Sequence, residues 1–115
     1  MSDDTIFDKI LRKEIPSDAV YEDDHVYAFR DVNPQAPVHV LVIPKRKLRS
    51  FVDLADANPE DVAALMQGVS RVARDLGLEE RGYRVVINTG PDALQSVEYL
   101  HAHIIAGRRL SWPPG

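Results

Sequence analysis

Two histidines, His101 and His103, stand two residues apart inside an apolar run near the end of the chain. In a strand, residues at i and i+2 project from the same face, so one face would carry half of the four histidines. Ser96 precedes this pair, and the basic residues Arg108 and Arg109 follow it after a glycine. Imidazoles in this setting suit attack on phosphorus better than they suit simple packing.

The first 30 residues predict a short helix and two strands. Thr5 and Asp8 stand three residues apart, as in a capping box, ahead of an apolar helical segment that should end near Ile15. The β-rich runs 19–21 and 25–29 flank an acidic turn, which is the pattern of a hairpin.

The middle of the chain predicts a loop, a central strand and a long helix. Residues 31–37 contain two prolines, which forbid regular ladder bonding, whereas residues 38–43 are almost continuously apolar. Asn58 is a suitable N-cap, Pro59 fits the first helical position, and Gly77 is a natural C-terminal stop. An apolar stripe at helical spacing covers one face of a sheet more often than it binds a partner. The stripe consists of Val62, Leu65, Met66, Val69, Val72, Ala73 and Leu76.

Two further apolar runs, 82–88 and 100–106, predict the last two strands. The whole chain, 1–115, is therefore expected to be a single α+β domain with about five antiparallel strands and two helices, the longer helix packed on the sheet. A chain of 115 residues can bury roughly two thirds of its unfolded surface and so fold without covalent staples.

The composition argues against several classes of partner. A formal net charge of −4 and a pI of about 5.5 argue against nucleic acid or an anionic membrane as the primary partner. The acidic N-terminus lacks an apolar core of signal-peptide length, so neither secretion nor a membrane span is supported. The absence of cysteine fits a reducing compartment, and we expect a cytoplasmic protein.

Eight short motifs follow one another along nearly the whole chain. They are Thr5-Ile6-Phe7, Lys13-Glu14-Ile15-Pro16, Asp31 to Pro37, Leu41-Val42-Ile43-Pro44-Lys45, Gly82-Tyr83-Arg84, Gln95-Ser96-Val97, His101-x-His103 and Ser111-Trp112-Pro113-Pro114-Gly115. In type and order these motifs resemble the histidine triad (HIT) superfamily, and within it the histidine-triad nucleotide-binding (Hint) branch. The resemblance implies a HIT-like fold and a homodimeric purine nucleoside phosphoramidate hydrolase, of the adenosine 5′-monophosphoramidase type, that needs no cofactor.

The resemblance also implies roles for the residues around the phosphate. His101 corresponds to the nucleophile, which would attack the α-phosphorus and form a nucleotidyl-histidine that water later hydrolyses. His39 and His103 would donate hydrogen bonds to non-bridging phosphate oxygens. Ser96 would contact the bridging atom of the leaving group, and Asn88 would brace the same loop. No metal is implied, because the histidines supply the electrostatic stabilisation.

The rest of the ligand would be held by one carboxylate and an apolar slot. Asp31 matches the family position that accepts both ribose hydroxyls. In the family the C-terminal segment reaches across the dimer, so Trp112 would either approach the other protomer's site or merely anchor the tail. The apolar slot for the purine base would be formed by Ile6, Phe7, Phe29 and Val32.

The sequence departs from the family pattern at several positions near this site. Tyr99 occupies the first of the three alternating histidine positions, although its main-chain carbonyl can still hold the nucleophile's other ring nitrogen. Glu98 adds a charge beside it, and Lys47 stands where many relatives carry histidine. Ala93-Leu94 replaces a glycine pair, and leucine resists conformations that glycine permits. These changes bear on rate and on leaving-group preference.

Each residue also has a purely structural interpretation. His101 and His103 could be sheet histidines satisfied within the fold, and Asp31 could be an ordinary loop cap. Phe7 and Phe29 could pack in the core and border a base slot at once. The basic run 45–49 is more typical of a solvated edge than of a phosphate clamp.

Two other classes of function stay open beside the hydrolase. One is a nucleotide-binding regulatory protein with weak or no turnover, which the replacements at Tyr99 and Lys47 favour. The other is a zinc module in which His39, His101 and His103 would hold the ion, although no cysteine accompanies them.

Overall fold

The computed structural model describes residues 3–115, so residues 1 and 2 of the predicted domain and of its acidic N-terminus lie outside the described part. The elements follow the predicted order, and the α+β class is confirmed. They are α1 (Ile6–Leu11), β1 (Ala19–Glu22), β2 (Val26–Arg30), β3 (Val38–Pro44), a 3-10 helix (Phe51–Asp56), α2 (Pro59–Asp75), β4 (Arg84–Val86) and β5 (Ala102–Ala106). No helix within 3–115 is long and apolar enough to cross a membrane.

The five strands form one sheet in the order β1-β2-β3-β5-β4, and every neighbouring pair is antiparallel. Leu41 of β3 lies opposite His103 of β5, and His39 lies opposite Ile105. Because side chains alternate along a strand, this register places His39, Leu41 and His103 on the same face. Alternate residues of the same strands, including Val40 and Ile104, belong to the core on the other face.

Helix α2 covers that other face and is built as its sequence predicts. Asn58 caps it by accepting a hydrogen bond from the main-chain N–H of Glu60, at 2.9 Å, and Pro59 is its first residue. Leu65, Val69, Val72 and Ala73 are buried, whereas Met66 is 40% exposed and was wrongly assigned to the buried stripe. A Cβ on Gly68 would lie 2.8 Å from Val26, so the missing side chain lets α2 approach β2 closely.

Helix α1 packs on the opposite face and is shorter than predicted. The capping box is confirmed: Thr5 Oγ1 accepts from the N–H groups of Phe7 and Asp8, and Asp8 Oδ2 accepts from the Thr5 N–H. The predicted end near Ile15 was wrong, because the helix ends at Leu11. Lys13 then takes a left-handed conformation with φ of 65°, which turns the chain away.

The remaining differences lie at strand ends and in one short helix. The predicted runs 82–88 and 100–106 are strands only over Arg84–Val86 and Ala102–Ala106. The 3-10 helix Phe51–Asp56 was not predicted, and Ser50 caps it through a hydrogen bond from the Val52 N–H. Its residues Phe51 and Val52 are exposed whereas Leu54 packs against the core, so an apolar run in the sequence does not mark a buried face here.

Candidate active site

A pocket of about 240 Å³ opens on the α1 side of the sheet, between α1, the end of β2, the middle of β3 and the strand β5. It brings together most of the residues predicted for the site. Those that line it are Ile6, Phe7, Phe29, Asp31, Val32, Ser96, His101 and His103. Its wall also includes Ile10, Ile15, Pro16, Ser17, Arg30, Leu41 and Val97. The pocket is thus apolar toward α1 and polar toward β5.

His101 is buried and held by a main-chain carbonyl, as predicted. Its Nδ1 lies 2.7 Å from the carbonyl oxygen of Tyr99. A carbonyl can only accept, so Nδ1 carries the proton and Nε2 of the neutral ring keeps its lone pair. Burial lowers the pKa of His101, which favours this neutral form. The Phe7 ring meets the imidazole edge-on, with 5.0 Å between the ring centroids.

His103 and His39 form a hydrogen-bonded pair beside His101. His39 Nε2 lies 2.8 Å from His103 Nδ1, and His39 Nδ1 accepts from the main-chain N–H of Gln35 at 3.0 Å. His103 Nε2 is buried and has no hydrogen-bond partner within residues 3–115. A buried polar atom without a partner is costly in a folded protein, and this one lies on the pocket wall, where a bound molecule can reach it.

The environment of His103 strongly opposes a positive charge. Burial, followed by the neighbouring His101 and His39, lowers the pKa of His103 to about 4. The centroids of the His101 and His103 rings are 5.0 Å apart. Both rings are therefore neutral near pH 7.

Asp31 is the predicted loop cap and also lines the pocket. Its Oδ1 accepts from the Asn33 N–H at 2.8 Å, which is the loop cap, and its Oδ2 lies 3.4 Å from His39 Nε2. The carboxylate also lines the pocket and is 20% exposed. Asp31 thus stabilises the loop and still presents an acceptor to a ligand.

Three of these groups come close enough to be considered as metal ligands. Ligand atoms of Asp31, His39 and His103 all lie within 4.8 Å of one another. The zinc alternative named His101 in place of Asp31, so its ligand set is corrected. The nitrogens of His39 and His103 are only 2.8 Å apart, whereas two nitrogens on one tetrahedral zinc lie roughly 3.3 Å apart. The arrangement fits a shared hydrogen bond and would have to open to hold zinc.

Three predicted residues do not line this pocket. His39 lies behind His103, with its Nε2 directed at His103 and Asp31 rather than at the cavity. Asn88 is half-buried beyond the end of β4. Trp112 is 80% exposed and lies with its ring 5.8 Å from the Arg84 guanidinium, at the β4 edge of the sheet.

The departures from the family pattern lie around the site and not among its pocket-lining atoms. Tyr99 is buried, packs on Phe7, and donates its hydroxyl hydrogen to the Pro44 carbonyl. Burial raises the pKa of Tyr99, so it stays neutral. Lys47 pairs with Asp8 at 2.8 Å. Leu94 adopts a left-handed conformation with φ of 60°, at the position where a glycine pair was expected.

The basic run 45–49 is an ion-paired edge. Four carboxylates, those of Glu22, Asp61, Asp8 and Asp3, pair with Lys45, Arg46, Lys47 and Arg49 at 2.7 to 3.1 Å. None of the four basic residues lines the pocket. The interpretation as a solvated edge is therefore favoured over a phosphate clamp.

Sequence reasoning missed Gln35. Its contribution to the site is a main-chain N–H, which any residue except proline could supply, so its side-chain type carries no signal. The two prolines that flank it, Pro34 and Pro37, are the only sequence feature that indicated a rigid loop here.

Comparison with known proteins gives consistent matches over nearly the whole chain. Residues 12–110 match the profile of the HIT domain. The chain is 52% identical to a 14 kDa zinc-binding protein of Zea mays, over 96% of this chain and 88% of that protein. It is 49% identical to a protein of Arabidopsis thaliana named Adenylylsulfatase HINT1, over 96% and 76% of the two chains. A solved HIT family hydrolase of Legionella pneumophila superposes with a TM-score of 0.92, at 40% identity over 97% and 100% of the chains.

The depressed pKa of His103 predicts how stability depends on pH. The folded value of about 4 lies below the usual 6.5, so the unfolded chain binds more protons between these values. This contribution to stability is complete above about pH 6.5 and is lost as the pH falls toward 4. Between pH 7 and pH 5, urea denaturation should show a loss of about 1 to 2 kcal/mol that His103→Gln lacks. His25→Gln, at an exposed position, is the control and should behave as the parent chain does.

Proposed function

The chain belongs to the HIT domain family, and we propose that it is a hydrolase that cleaves the P–N bond of purine nucleoside 5′-phosphoramidates. The observation that carries this proposal is the pair of complementary atoms on the pocket wall. His101 offers a lone pair at Nε2, and His103 offers a buried nitrogen that lacks a partner within the described residues. Displacement at phosphorus requires at least a nucleophile and, beside it, a group that can donate a hydrogen bond to a phosphate oxygen.

In the proposed reaction His101 Nε2 attacks the α-phosphorus, and the P–N bond breaks as the new bond forms. The leaving amine takes a proton from solvent water, and Ser96 on the pocket wall would contact the bridging nitrogen. The imidazole becomes cationic in the intermediate, so the Tyr99 carbonyl binds its Nδ1–H more strongly than before. Water then attacks the phosphorus of the nucleotidyl-histidine, the P–Nε2 bond breaks, the water releases a proton to solvent, and His101 becomes neutral again.

The nucleoside would bind in the same pocket with its ribose at Asp31. The free acceptor capacity of Oδ2 suits two vicinal hydroxyls. The pocket has an apolar wall that suits the flat face of a purine, as in AMP or GMP, because the base buries this face away from water there. The wall consists of Ile6, Phe7, Phe29 and Val32. Asn88 remains the proposed brace of the loop that carries Ser96.

The name of the Arabidopsis relative raises a second leaving group. An adenylylsulfatase acts on a nucleotide whose α-phosphorus carries sulfate. Attack by His101 would be the same step for both substrates, and only the contacts at Ser96 would differ. Assays with adenosine 5′-phosphoramidate and with adenylyl sulfate therefore test one nucleophile against two leaving groups.

The other classes of function remain alternatives with different outcomes. A nucleotide-binding protein without turnover would use the same pocket and show binding alone. A zinc module accords with the name of the Zea mays relative, but the 2.8 Å separation of His39 and His103 favours a hydrogen bond. If no zinc is bound there, prolonged dialysis against a chelator should leave nucleotide binding unchanged.

We further propose that two copies form a homodimer along the β4 edge. Strand β4 ends the sheet, Val85 on it is 44% exposed, and Trp112 beside it is 80% exposed. An edge strand with apolar neighbours favours association with another chain. In such a dimer Trp112 of one protomer could reach the pocket of the other.

His101→Ala should abolish turnover while nucleotide binding is largely retained, because the base slot and Asp31 remain. Loss of a covalent nucleophile reduces the rate by on the order of a thousandfold or more. Tyr99→Phe keeps the carbonyl, so its turnover should change little, although the unpaired Pro44 carbonyl should cost about 1 to 2 kcal/mol of stability. Steady-state rates with adenosine 5′-phosphoramidate and calorimetric binding of AMP provide the measurements. Full activity in His101→Ala would refute the mechanism.

Asp31→Asn should weaken binding of ribonucleotides by about 1 to 3 kcal/mol, the range for a charged hydrogen-bond acceptor. The parent chain should bind AMP more tightly than its 2′-deoxy analogue, and the variant should bind the two alike. Calorimetric titration measures both differences. Equal affinity of the parent chain for the two nucleotides would rule out the ribose role.

The homodimer predicts a solution mass of twice the 12.9 kDa chain mass. Light scattering coupled to size-exclusion chromatography at micromolar concentration measures it. Val85→Asp and Trp112→Ala should shift the mass toward one chain if the β4 edge is the interface. A parent mass of one chain would contradict the dimer and leave the pocket of each chain complete by itself.

A further inference from the structure

We infer that the main-chain N–H of Gln35 sets the tautomers of His39 and His103, and that the loop 31–37 is thereby a positioning element for the phosphate. The inference rests on the proposed function only in naming phosphate as the ligand of His103. The proton positions themselves follow from contacts inside the protein.

The chain of contacts runs from the loop to the pocket. The Gln35 N–H can only donate, so His39 Nδ1 must be the bare, accepting nitrogen. A neutral imidazole then carries its proton on Nε2, which donates to His103 Nδ1 at 2.8 Å. His103 Nδ1 is therefore also bare, and its proton lies on Nε2, the atom left without a partner among the described residues.

The opposite tautomers of His39 and His103 would turn the nitrogen that faces the pocket from a donor into an acceptor. If His39 carried its proton on Nδ1, that N–H would face the Gln35 N–H, and Nε2 would have to accept from His103. His103 Nε2 would then present a lone pair to the phosphate oxygens and repel them. One main-chain N–H thus decides whether the pocket offers the phosphate a donor or an acceptor.

Asp31 supports the same tautomer from the other side. Its Oδ2 lies 3.4 Å from His39 Nε2, and a carboxylate favours a proton on the nitrogen that faces it. The carboxylate that we assign to the ribose therefore also orients the two histidines that lead to the phosphate.

The loop 31–37 is held in place by hydrogen bonds at Gln35 and at Asp31. Arg108 Nη2 donates to the Gln35 carbonyl at 3.1 Å, and the Asp31 N–H donates to the His39 carbonyl at 2.9 Å. A Cβ on Gly107 would lie 2.8 Å from Pro37, so the turn after β5 packs closely on the loop. Arg108 thereby has a positioning role, because it fixes the peptide that follows the donating N–H.

The first experiment uses NMR to locate the imidazole protons in the full chain labelled with 15N. Long-range proton–nitrogen spectra of the histidine rings at pH 7.5 should show protons on His101 Nδ1, His39 Nε2 and His103 Nε2. A scalar coupling across the hydrogen bond should connect the Gln35 amide nitrogen to His39 Nδ1. A proton on His39 Nδ1, or a missing coupling, would overturn the inference, and neither measurement needs a substrate.

The second experiment removes the donor with Gln35→Pro, which deletes the N–H and alters no ring. His39 and His103 should then show mixed tautomers while His101 keeps its pattern, and kcat with adenosine 5′-phosphoramidate should fall at least about tenfold. Gln35→Ala is the conservative variant that keeps the N–H, and it should keep the tautomers of the parent chain. Unchanged tautomers in a folded Gln35→Pro would overturn the inference, and if that variant fails to fold, the parent-chain coupling decides.

The two proposals can fail separately. If the NMR spectra show the expected tautomers but the chain hydrolyses neither phosphoramidate nor adenylyl sulfate, the proposed function is wrong and the inference about Gln35 stands. Hydrolysis by a chain whose His39 carries its proton on Nδ1 would do the reverse.

Discussion

Pairing between β3 and β5 is the contact on which the site depends. It sets Leu41 opposite His103 and His39 opposite Ile105, which brings two imidazoles from distant parts of the sequence to 2.8 Å. A slip of one residue would move every side chain of a strand to the other face. The register is fixed by the opposite face, where Val40 and Ile104 are fully buried beneath α2. The alternation of side chains along β3 and β5 therefore places the packed core on one face of the sheet and the histidines of the site on the other.

The histidines of the site are uncharged because their surroundings disfavour protonation. His101 and His103 lie close together on the pocket wall, and both have a lowered pKa because burial would desolvate their charged forms. Neutral imidazoles are directional, since each has one donor and one lone pair. A charged imidazole can only donate hydrogen bonds, whereas each of these neutral rings presents an N–H at one nitrogen and a lone pair at the other.

The sequence predicted those parts of the structure that depend on side-chain type. The capping box at Thr5, the start of α2 at Asn58 and the succession of five strands along the chain follow from local rules of capping and periodicity. The contact of His101 with the Tyr99 carbonyl was predicted through family resemblance, and local patterns alone leave it open. What escaped prediction depends on the main chain or on tertiary packing. Gln35 acts through an N–H common to nearly all residues, and Met66 is exposed because α2 rests on the sheet along a narrower stripe.

The replaced residues show how much of such a site can vary. Tyr99 takes part through its carbonyl, while its ring fills the core against Phe7 and its hydroxyl is satisfied by Pro44. A histidine there could offer the same carbonyl but would fill the space less fully. Lys47 lies outside the pocket and pairs with Asp8, the residue that also closes the cap of α1. Since α1 carries Phe7 against the His101 ring, this ion pair helps to hold the helix that forms the apolar wall of the pocket. The residues that depart from the family pattern thus contribute main chain or shape, whereas His101 and His103 contribute ring nitrogens that must face one way.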